Sequence, residues 1–189
     1  MEEEDIWLLC LKGNIDSFEY FYKKYYELLF NYGIKICNDN DLVKDCIQNL
    51  FVKLINNYQN LSSTESVKFY LIKSFRNTLL NTLKSEALRK YKFRFYPNEL
   101  LIEKESLSSL STEILSNKEN QSLLKAYNSL PSRQKEIIYL YYIKELSHDE
   151  IADLFNINHQ SSKNLLFRAL TKMRSLLVEQ ESKKNKVKI

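Results

Sequence analysis

The stretch SHDEIADLFNINHQSSKNLLFRALTKMR, residues 147–174, contains two short amphipathic segments separated by a polar turn. Ser147 followed by Glu150 matches a capping box, in which each side chain satisfies a backbone N–H at the start of a helix. Asn156 can adopt the left-handed conformation that ends this helix, and Asn158 can cap the next one. The spacing therefore predicts two helices joined by a turn of about three residues, which is a helix-turn-helix.

The second helix of this pair, predicted from His159 to about Val178, has one apolar and one polar face. The residues on the apolar face recur at spacings of four, three and four, and they are Ser162, Leu166, Ala169 and Met173. The polar face suits DNA, because Gln and Asn can bond adenine edges while Lys and Arg can bond guanine or phosphate. We therefore predict DNA binding, with an ordinary solvated helical hairpin as the alternative.

The composition of the 189-residue chain favours helices and excludes several kinds of active site. Only two glycines and two prolines occur, so tight turns and β-bulges are scarce. Gly13 and Gly33 are too far apart for a phosphate-binding loop, and two histidines without a C-x-x-C pair do not make a metal site. We expect no cofactor, no metal, no small-molecule substrate and no catalysis by this chain.

The start of the chain and its hydropathy favour a cytoplasmic protein. Residues Glu2–Asp5 are acidic, whereas a secretory signal begins with basic residues and continues with apolar ones. No apolar stretch approaches the length of about 18 residues that spans a bilayer, so we expect no membrane insertion. The three cysteines are an odd number and are expected to stay reduced.

The N-terminal half shows three further segments with helical periodicity. The first has apolar residues at spacings of three and four from Phe18 to Tyr32, and Asp16 or Ser17 can cap its start. The second runs from Asn40 to Asn56 and is followed by a polar stretch that is typical of a loop. The third begins at Val67 and extends to about Tyr91.

Charge is unevenly distributed, although the net charge is only +4. Between Lys73 and Arg94 seven bases oppose one acid, and between Lys163 and Arg174 four bases occur with no acid. Such runs suit the phosphate backbone of nucleic acid. The segment 96–120 is acidic and contains a stretch rich in Leu and Ser, which predicts a flexible linker.

Motifs in both halves have a common resemblance. The C-terminal half contains L-P-x-R-Q from Leu130, E-I-A from Glu150 and R-A-L-x-K-M-R from Arg168. The N-terminal half contains D-x-x-Q-x-x-F from Asp45. The predicted basic helix follows it, and the part of this helix from Tyr70 to Lys84 carries the resemblance. Together these motifs resemble bacterial RNA polymerase sigma factors of the extracytoplasmic-function (ECF) type, in the sigma-70 family.

The resemblance implies an all-α fold with two small helical domains joined by a flexible acidic linker. Region 2, which binds core polymerase and recognises and melts the -10 promoter element, corresponds to residues 1–95, and the linker corresponds to residues 96–120. Region 4, with the helix-turn-helix for the -35 element, corresponds to residues 121–180, and a basic tail to residues 181–189. The implied partners are core RNA polymerase and promoter DNA, and an anti-sigma factor is a further candidate.

The resemblance also implies roles for individual residues. Those expected to bind core polymerase are Asp45, Gln48 and Asn49. Those expected at the -10 element are Tyr58, Asn60, Tyr70, Arg76, Asn77 and Lys84. Those expected at the -35 element are His159, Gln160, Ser161, Lys163, Asn164 and Arg168.

Among the aromatic residues, we expect Tyr58 to hold an extruded base and Tyr70 mainly to pack against the protein. Phe51 is expected in the core. Ser162 stands where the family usually has a buried apolar residue, so we expect its hydroxyl to weaken the packing of the recognition helix.

Three other classes of protein are alternatives. The first is a one-component or response-regulator transcription factor. A receiver domain needs alternating strands and helices with glycines and an acidic pocket, and the first 95 residues have no such pattern. A helical nuclease needs carboxylates clustered near a histidine or a metal, and the acids of this chain are dispersed. A helical adaptor without DNA binding is distinguished by a heparin or DNA column at low salt.

Overall fold

The computed structural model describes residues 2–93 and 118–186, and all regular structure within these residues is helical. This confirms the predicted all-α fold. The chain divides into two compact units, Met1–Ser106 and Leu107–Ile189, called unit 1 and unit 2 here. Most of the predicted acidic linker falls between the two described ranges. None of the helices in those ranges is long and apolar enough to cross a membrane.

Unit 1 is built from helices that mostly match the predicted segments. In order, its described elements are α1 (Glu3–Leu11), α2 (Ile15–Ile36), α3 (Asn40–Asn56), a 3-10 turn (Tyr58–Asn60) and α4 (Val67–Phe93). The bounds of α3 and the start of α4 are those predicted from periodicity. Helix α1 is an addition to the predicted set, and it buries Ile6, Trp7 and Cys10.

The N-cap of α2 is Asn14, so the predicted caps Asp16 and Ser17 are wrong. The side-chain oxygen of Asn14 accepts hydrogen bonds from both the backbone N–H and the hydroxyl of Ser17, each at 2.9 Å. Gly13, with a φ of 79°, lies in the short turn between α1 and α2, directly before this cap. Glycine adopts this left-handed conformation without the steric penalty that a side chain brings.

The core of unit 1 depends on a close approach of α2 to α3 and α4 at Gly33. A Cβ built on Gly33 would lie 2.7 Å from Val43 Cγ1 and 2.8 Å from Phe75 Cζ. Both neighbours are fully buried. Because a close-packed interior leaves them little room to move, the missing side chain of Gly33 allows the three helices to meet.

We predict that Gly33→Ala lowers the free energy of unfolding of unit 1 by about 1 to 2 kcal/mol, because overpacking outweighs the higher helix propensity of alanine. Urea denaturation followed by tryptophan fluorescence measures this, since Trp7 is the only tryptophan in the chain and lies in unit 1. The control is Asn31→Ala at an exposed position of the same helix. Equal stability of the two variants would contradict the close approach.

Unit 2 contains the remaining described helices. These are α5 (Lys118–Asn128), α6 (Ser132–Ile138), a π-helical turn (Tyr139–Ile143) that continues α6, α7 (His148–Phe155) and α8 (His159–Lys186). Pro131 is the N-cap of α6. Proline suits the start of a helix because it has no N–H to satisfy there.

Helices α7 and α8 form the predicted helix-turn-helix. The hydroxyl of Ser147 accepts from the N–H of Glu150 at 3.2 Å, and the Glu150 carboxylate accepts from the N–H of Ser147 at 2.8 Å. Asn156 ends α7 with a φ of 52°, and Asn158 accepts from the N–H of Ser161 at 2.7 Å. The predicted inner face of α8 is buried at Ser162, Leu166 and Ala169 and half-buried at Met173.

Candidate polymerase and nucleic-acid interfaces

The outer face of α3 carries the three residues expected to bind core polymerase. Asp45, Gln48 and Asn49 are all exposed, because the opposite face of the helix is buried against α2 and α4. The structure adds Val52, which lies four residues after Gln48 and is 47% exposed. An apolar side chain beside two amides gives this face both a hydrophobic contact and hydrogen-bonding groups. Phe51 is buried in the core, as predicted.

The loop between α3 and α4 presents two of the residues expected at the -10 element. Asn60 is exposed at the end of the 3-10 turn. Tyr58 is half-buried, and its ring lies against the turn between α1 and α2, where a Cβ on Gly13 would be 2.9 Å from the ring. One part of the Tyr58 ring therefore packs on the protein while the rest faces solvent.

Helix α4 places three of its predicted residues along one face. Tyr70, Asn77 and Lys84 follow one another at intervals of seven residues, which is close to two turns. Asn77 and Lys84 are exposed, whereas Arg76 lies about a quarter turn away and is partly buried. Tyr70 is half-buried, and its ring centroid lies 5.2 Å from that of Trp7. This contact agrees with the expectation that Tyr70 mainly packs.

The first turns of α8 expose a polar face opposite the buried one. Gln160 and Asn164 lie one turn apart, and the amide of Gln160 donates to the side-chain oxygen of Asn164 at 3.1 Å. The guanidinium of Arg168 donates to the backbone carbonyl of Asn164 at 3.4 Å. Lys163 is exposed beside them. The hydrogen bonds restrict the amides and the guanidinium before any partner arrives.

Two residues expected at the -35 element have local structural roles. The ring Nδ1 of His159 is 2.6 Å from a carboxylate oxygen of Asp149, so the first turns of α7 and α8 are joined. Ser161 is half-buried, and its N–H bonds the cap residue Asn158. The structure also exposes 70% of Phe167 on the outer face of α8, one turn after Asn164. Phe167 is not among the residues predicted to contact the -35 element.

Ser162 is fully buried, and its hydroxyl has a partner. The ring Nδ1 of His148, on α7, lies 3.1 Å from Ser162 Oγ. The hydroxyl can donate or accept, so it is satisfied with either neutral tautomer of the imidazole. Burial lowers the pKa of His148 below its ordinary value, and the charges of His159 and Lys163 lower it further while Asp149 raises it. The buried hydroxyl thus links the two helices of the motif.

We predict that Ser162 and His148 stabilise unit 2 cooperatively. Ser162→Ala and His148→Phe each remove one partner, and the double variant should be less destabilised than the sum of the two by about 0.5 to 1.5 kcal/mol. Phenylalanine preserves a ring at the position that stacks on Tyr141. Hydrogen exchange of the most protected amides of α8 reports the free energy of unfolding.

Additive effects in that double-mutant cycle would show that the 3.1 Å contact carries no coupling energy. The Asp149–His159 pair on the neighbouring turn serves as a reference, because it is exposed and should couple by less than about 1 kcal/mol.

Metal-binding chemistry finds no support in the described residues, where no three His, Cys, Asp or Glu side chains cluster closely enough to hold an ion. The thiols of Cys10 and Cys46 are buried, and burial raises the pKa of both. Thiols in this state are poor nucleophiles.

Two models of the sigma-70 family match this chain. Sigma-70 region 2 matches residues 21–89, and Sigma-70, region 4 matches residues 120–173. The first match includes most of α2, all of α3 and most of α4. The second includes most of α5, all of α6 and α7 and the first half of α8. Helix α1 lies before the first match.

Curated relatives and solved structures agree with these matches. The chain is 26% identical over 160 residues to the ECF RNA polymerase sigma factor SigM of Bacillus subtilis (strain 168). The alignment covers 82% of this chain and 91% of SigM. It is 27% identical over 158 residues to RNA polymerase sigma factor YlaC of the same organism, covering 82% and 88%.

Two solved structures share the fold. The first is CnrH in complex with the cytosolic domain of CnrY, with a TM-score of 0.64 and 15% identity, covering 94% of this chain and 97% of that one. The second is the sigma factor RpoE of Bartonella quintana in complex with the anti-sigma factor NepR, with a TM-score of 0.61 and 18% identity, covering 86% of this chain and 98% of that one. With region 2 and region 4 matched in order along it, the chain belongs to the sigma-70 family of RNA polymerase sigma factors, and its relatives include ECF members.

Proposed function

We propose that this sigma factor brings core RNA polymerase to its promoters by dividing the work between its two units. Unit 1 binds the polymerase through α3 and engages the -10 element through α4 and the loop before it. Unit 2 reads the -35 element through α8. The observation that supports this division most directly is the exposed amide pair Gln160–Asn164 at the start of α8, on the face opposite its buried stripe.

The proposed domain boundaries follow the sequence. Region 2 would occupy residues 1–95, the acidic linker residues 96–120, region 4 residues 121–180 and the basic tail residues 181–189. We place the protein in the cytoplasm, where core polymerase and DNA are found.

Polymerase binding through α3 is supported by the composition of its outer face. Gln48 and Asn49 each carry an amide that can donate and accept, and neither has to leave a buried position to do so. Val52 supplies apolar area at the centre of the same face. Asp45 and the neighbouring Asp41–Lys44 pair lie toward its edge, where charge contributes to the rate and specificity of association.

We predict that Gln48→Ala combined with Asn49→Ala weakens the complex with core polymerase and leaves helicity and melting temperature nearly unchanged, because both side chains are exposed. Losing contacts of this kind typically costs about 1 kcal/mol each, so affinity should fall roughly tenfold or more. Titration of labelled protein with core polymerase measures the affinity. The control is Asn31→Ala on α2, and unchanged affinity of the double variant would contradict the assignment.

Reading of the -35 element by α8 is supported by the chemistry of its exposed face. Amides can bond adenine edges in the major groove, and Lys163 and Arg168 supply the charge that phosphates or guanine attract. Phe167 adds an apolar surface that could contact a thymine methyl group. His159 and Ser161 are already hydrogen-bonded within the motif. They are therefore better suited to holding the start of α8 and contacting the DNA backbone than to reading base edges.

We predict that Gln160→Ala or Asn164→Ala relaxes the preference at particular base pairs by about 1 to 3 kcal/mol. Arg168→Ala should instead weaken binding to all sequences and reduce the slope of log affinity against log salt by about 1. Binding of the holoenzyme to a library randomised at the -35 element measures both effects. The control is Ser175→Ala, at an exposed position further along α8. Identical profiles for the amide and Arg168 variants would contradict this geometry.

Opening of the -10 element needs groups that hold unpaired bases and their backbone. Stacking on aromatic rings is worth about 1 to 3 kcal/mol per base. Tyr58 and Tyr70 lie on the loop and at the start of α4, and Asn77 and Lys84 continue along the same helix over about 21 Å from Tyr70. Asn60 adds an amide at the loop, and Arg76 a cation on the flank of α4. This is an arrangement that can follow a single strand.

An anti-sigma factor is a further proposed partner. One similar structure holds RpoE with the anti-sigma factor NepR, and another holds CnrH with the cytosolic domain of CnrY. A protein that covers the outer face of α3 here would prevent polymerase binding without altering the fold. Purification of the chain from the cells that naturally produce it, followed by identification of any protein that stays bound to it, tests for such a partner.

A further inference from the structure

Helix α1 lies before the region 2 match, yet it contacts the loop to which the proposed function assigns the -10 element. Its link to that loop is Trp7, which is almost fully buried. The indole Nε1–H donates to the backbone carbonyl of Ser62 at 3.0 Å, across 55 positions of sequence. One hydrogen bond thus joins the first helix of the chain to the centre of the loop between α3 and α4.

The ring of Trp7 also contacts the start of α4. Its centroid is 5.2 Å from that of Tyr70, and Phe21 of α2 packs edge-on at 5.8 Å on another side. Aromatic rings at these separations attract one another beyond the simple burial of area. Trp7 therefore holds two parts of the proposed -10 site together: the loop through Ser62 and the helix through Tyr70.

A second contact between the same elements lies at Gly13. Its φ of 79° directs the chain so that the Tyr58 ring rests on the backbone, where a Cβ would be 2.9 Å away. The turn after α1 is in this way a support for Tyr58. Tyr58 lies at the start of the loop and Ser62 at its centre. The Gly13 contact and the Trp7 contacts therefore constrain different parts of the loop.

The loop has further bonds that carry this constraint to α4. The hydroxyl of Thr64 donates to the carbonyl of Ser66 at 3.2 Å and accepts from its N–H at 3.3 Å. The hydroxyl of Ser66 in turn accepts from the N–H of Phe69 at 3.1 Å and so caps the helix. Polar residues of this kind would otherwise sample many conformations, at an entropic cost when a partner orders them.

Helix α1 is itself well attached. The hydroxyl of Tyr25 donates to the Glu3 carboxylate at 2.7 Å, and Lys24 forms an ion pair with the same group. Glu2 and Asp5 cap its first turn. A helix fixed in this way to α2 can serve as a rigid support.

We propose that Trp7 is a positioning residue for promoter opening, which holds the loop and Tyr70 in the arrangement that captures the unpaired -10 strand. This proposal rests on the proposed function of unit 1. The indole acts through Ser62 and Tyr70, and Gly13 acts in the same way through Tyr58. Because the loop is already ordered, capture of the unpaired strand costs less conformational entropy. A variant in which the loop is less ordered should therefore open the promoter more slowly and bind polymerase normally.

The test uses holoenzyme assembled from core polymerase and the full chain. A promoter is first selected by the wild-type holoenzyme from a randomised library, and its opening rate is measured by permanganate reactivity of unpaired thymines. Trp7→Phe preserves a ring but removes the N–H donor. We expect about a five- to tenfold slower opening, which corresponds to one lost hydrogen bond, with core affinity within twofold of wild type.

The matched control is Phe21→Leu, which removes a ring that packs edge-on against Trp7 but leaves the indole N–H, Ser62 and Tyr70 in the sequence unchanged. It should open the promoter at a rate within about twofold of wild type even if it lowers the melting temperature as much as Trp7→Phe does. A template with a preformed bubble should reduce the defect of Trp7→Phe, because the free energy of unpairing is then already supplied. A second variant, Gly13→Ala, places a Cβ against the Tyr58 ring and keeps the Trp7 side chain, and it should also slow opening.

Several outcomes would overturn the proposal. Opening by Trp7→Phe at the wild-type rate does so, as does equal slowing by Phe21→Leu. If Trp7→Phe does not fold, a normal opening rate for Gly13→Ala overturns it. If the wild-type holoenzyme opens no library promoter, the proposed function itself is contradicted. That outcome is distinct from normal opening by the variants, which contradicts only the role of Trp7.

Discussion

Burial of one face of each helix is the constraint on which the rest of the molecule depends. Helices α3 and α8 each place an apolar stripe against their neighbours, and the opposite stripe is thereby exposed. On α3 the exposed stripe holds Gln48, Asn49 and Val52, and on α8 it holds Gln160 and Asn164. The hydrophobic effect that stabilises each unit therefore also decides which side chains can meet a partner.

Much of this arrangement could be predicted from sequence because the local signals agree with each other. The bounds of α3, the capping box at Ser147 and the left-handed Asn156 each follow from a few neighbouring residues. Helix periodicity then orients α8, since Ser162, Leu166 and Ala169 fall on one side. Prediction works at these positions because the deciding interactions are close in sequence.

The features that were missed lie outside the periodic pattern of any one helix. Nine residues of α1 with an acidic start form a weak pattern, and Trp7 finds Ser62 only in three dimensions. The cap of α2 is Asn14, which directly follows Gly13 in the short turn before the helix. Ser162 was expected to weaken packing, and its partner His148 lies on the preceding helix. Helical periodicity identifies none of these contacts.

Under the proposed function, the protein binds its partners through surfaces that are already ordered. The amide pair on α8, the linked first turns of α7 and α8 and the packed Tyr58 are all held by contacts within the described residues. Such preparation limits the entropy that is lost on binding and favours selective recognition over general attraction to DNA. Charge contributes to the same process, because the basic residues of α4 and α8 attract phosphate irrespective of sequence.

The central claim is that this chain makes transcription start at particular sites. The most direct measurement sequences the 5′ ends of transcripts made in vitro by Bacillus subtilis core polymerase on a randomised promoter library, with and without the purified chain. The account predicts start sites that appear only with the chain and share two conserved upstream elements at a fixed separation. A binary complex with core polymerase that yields the same start sites as core alone would contradict it.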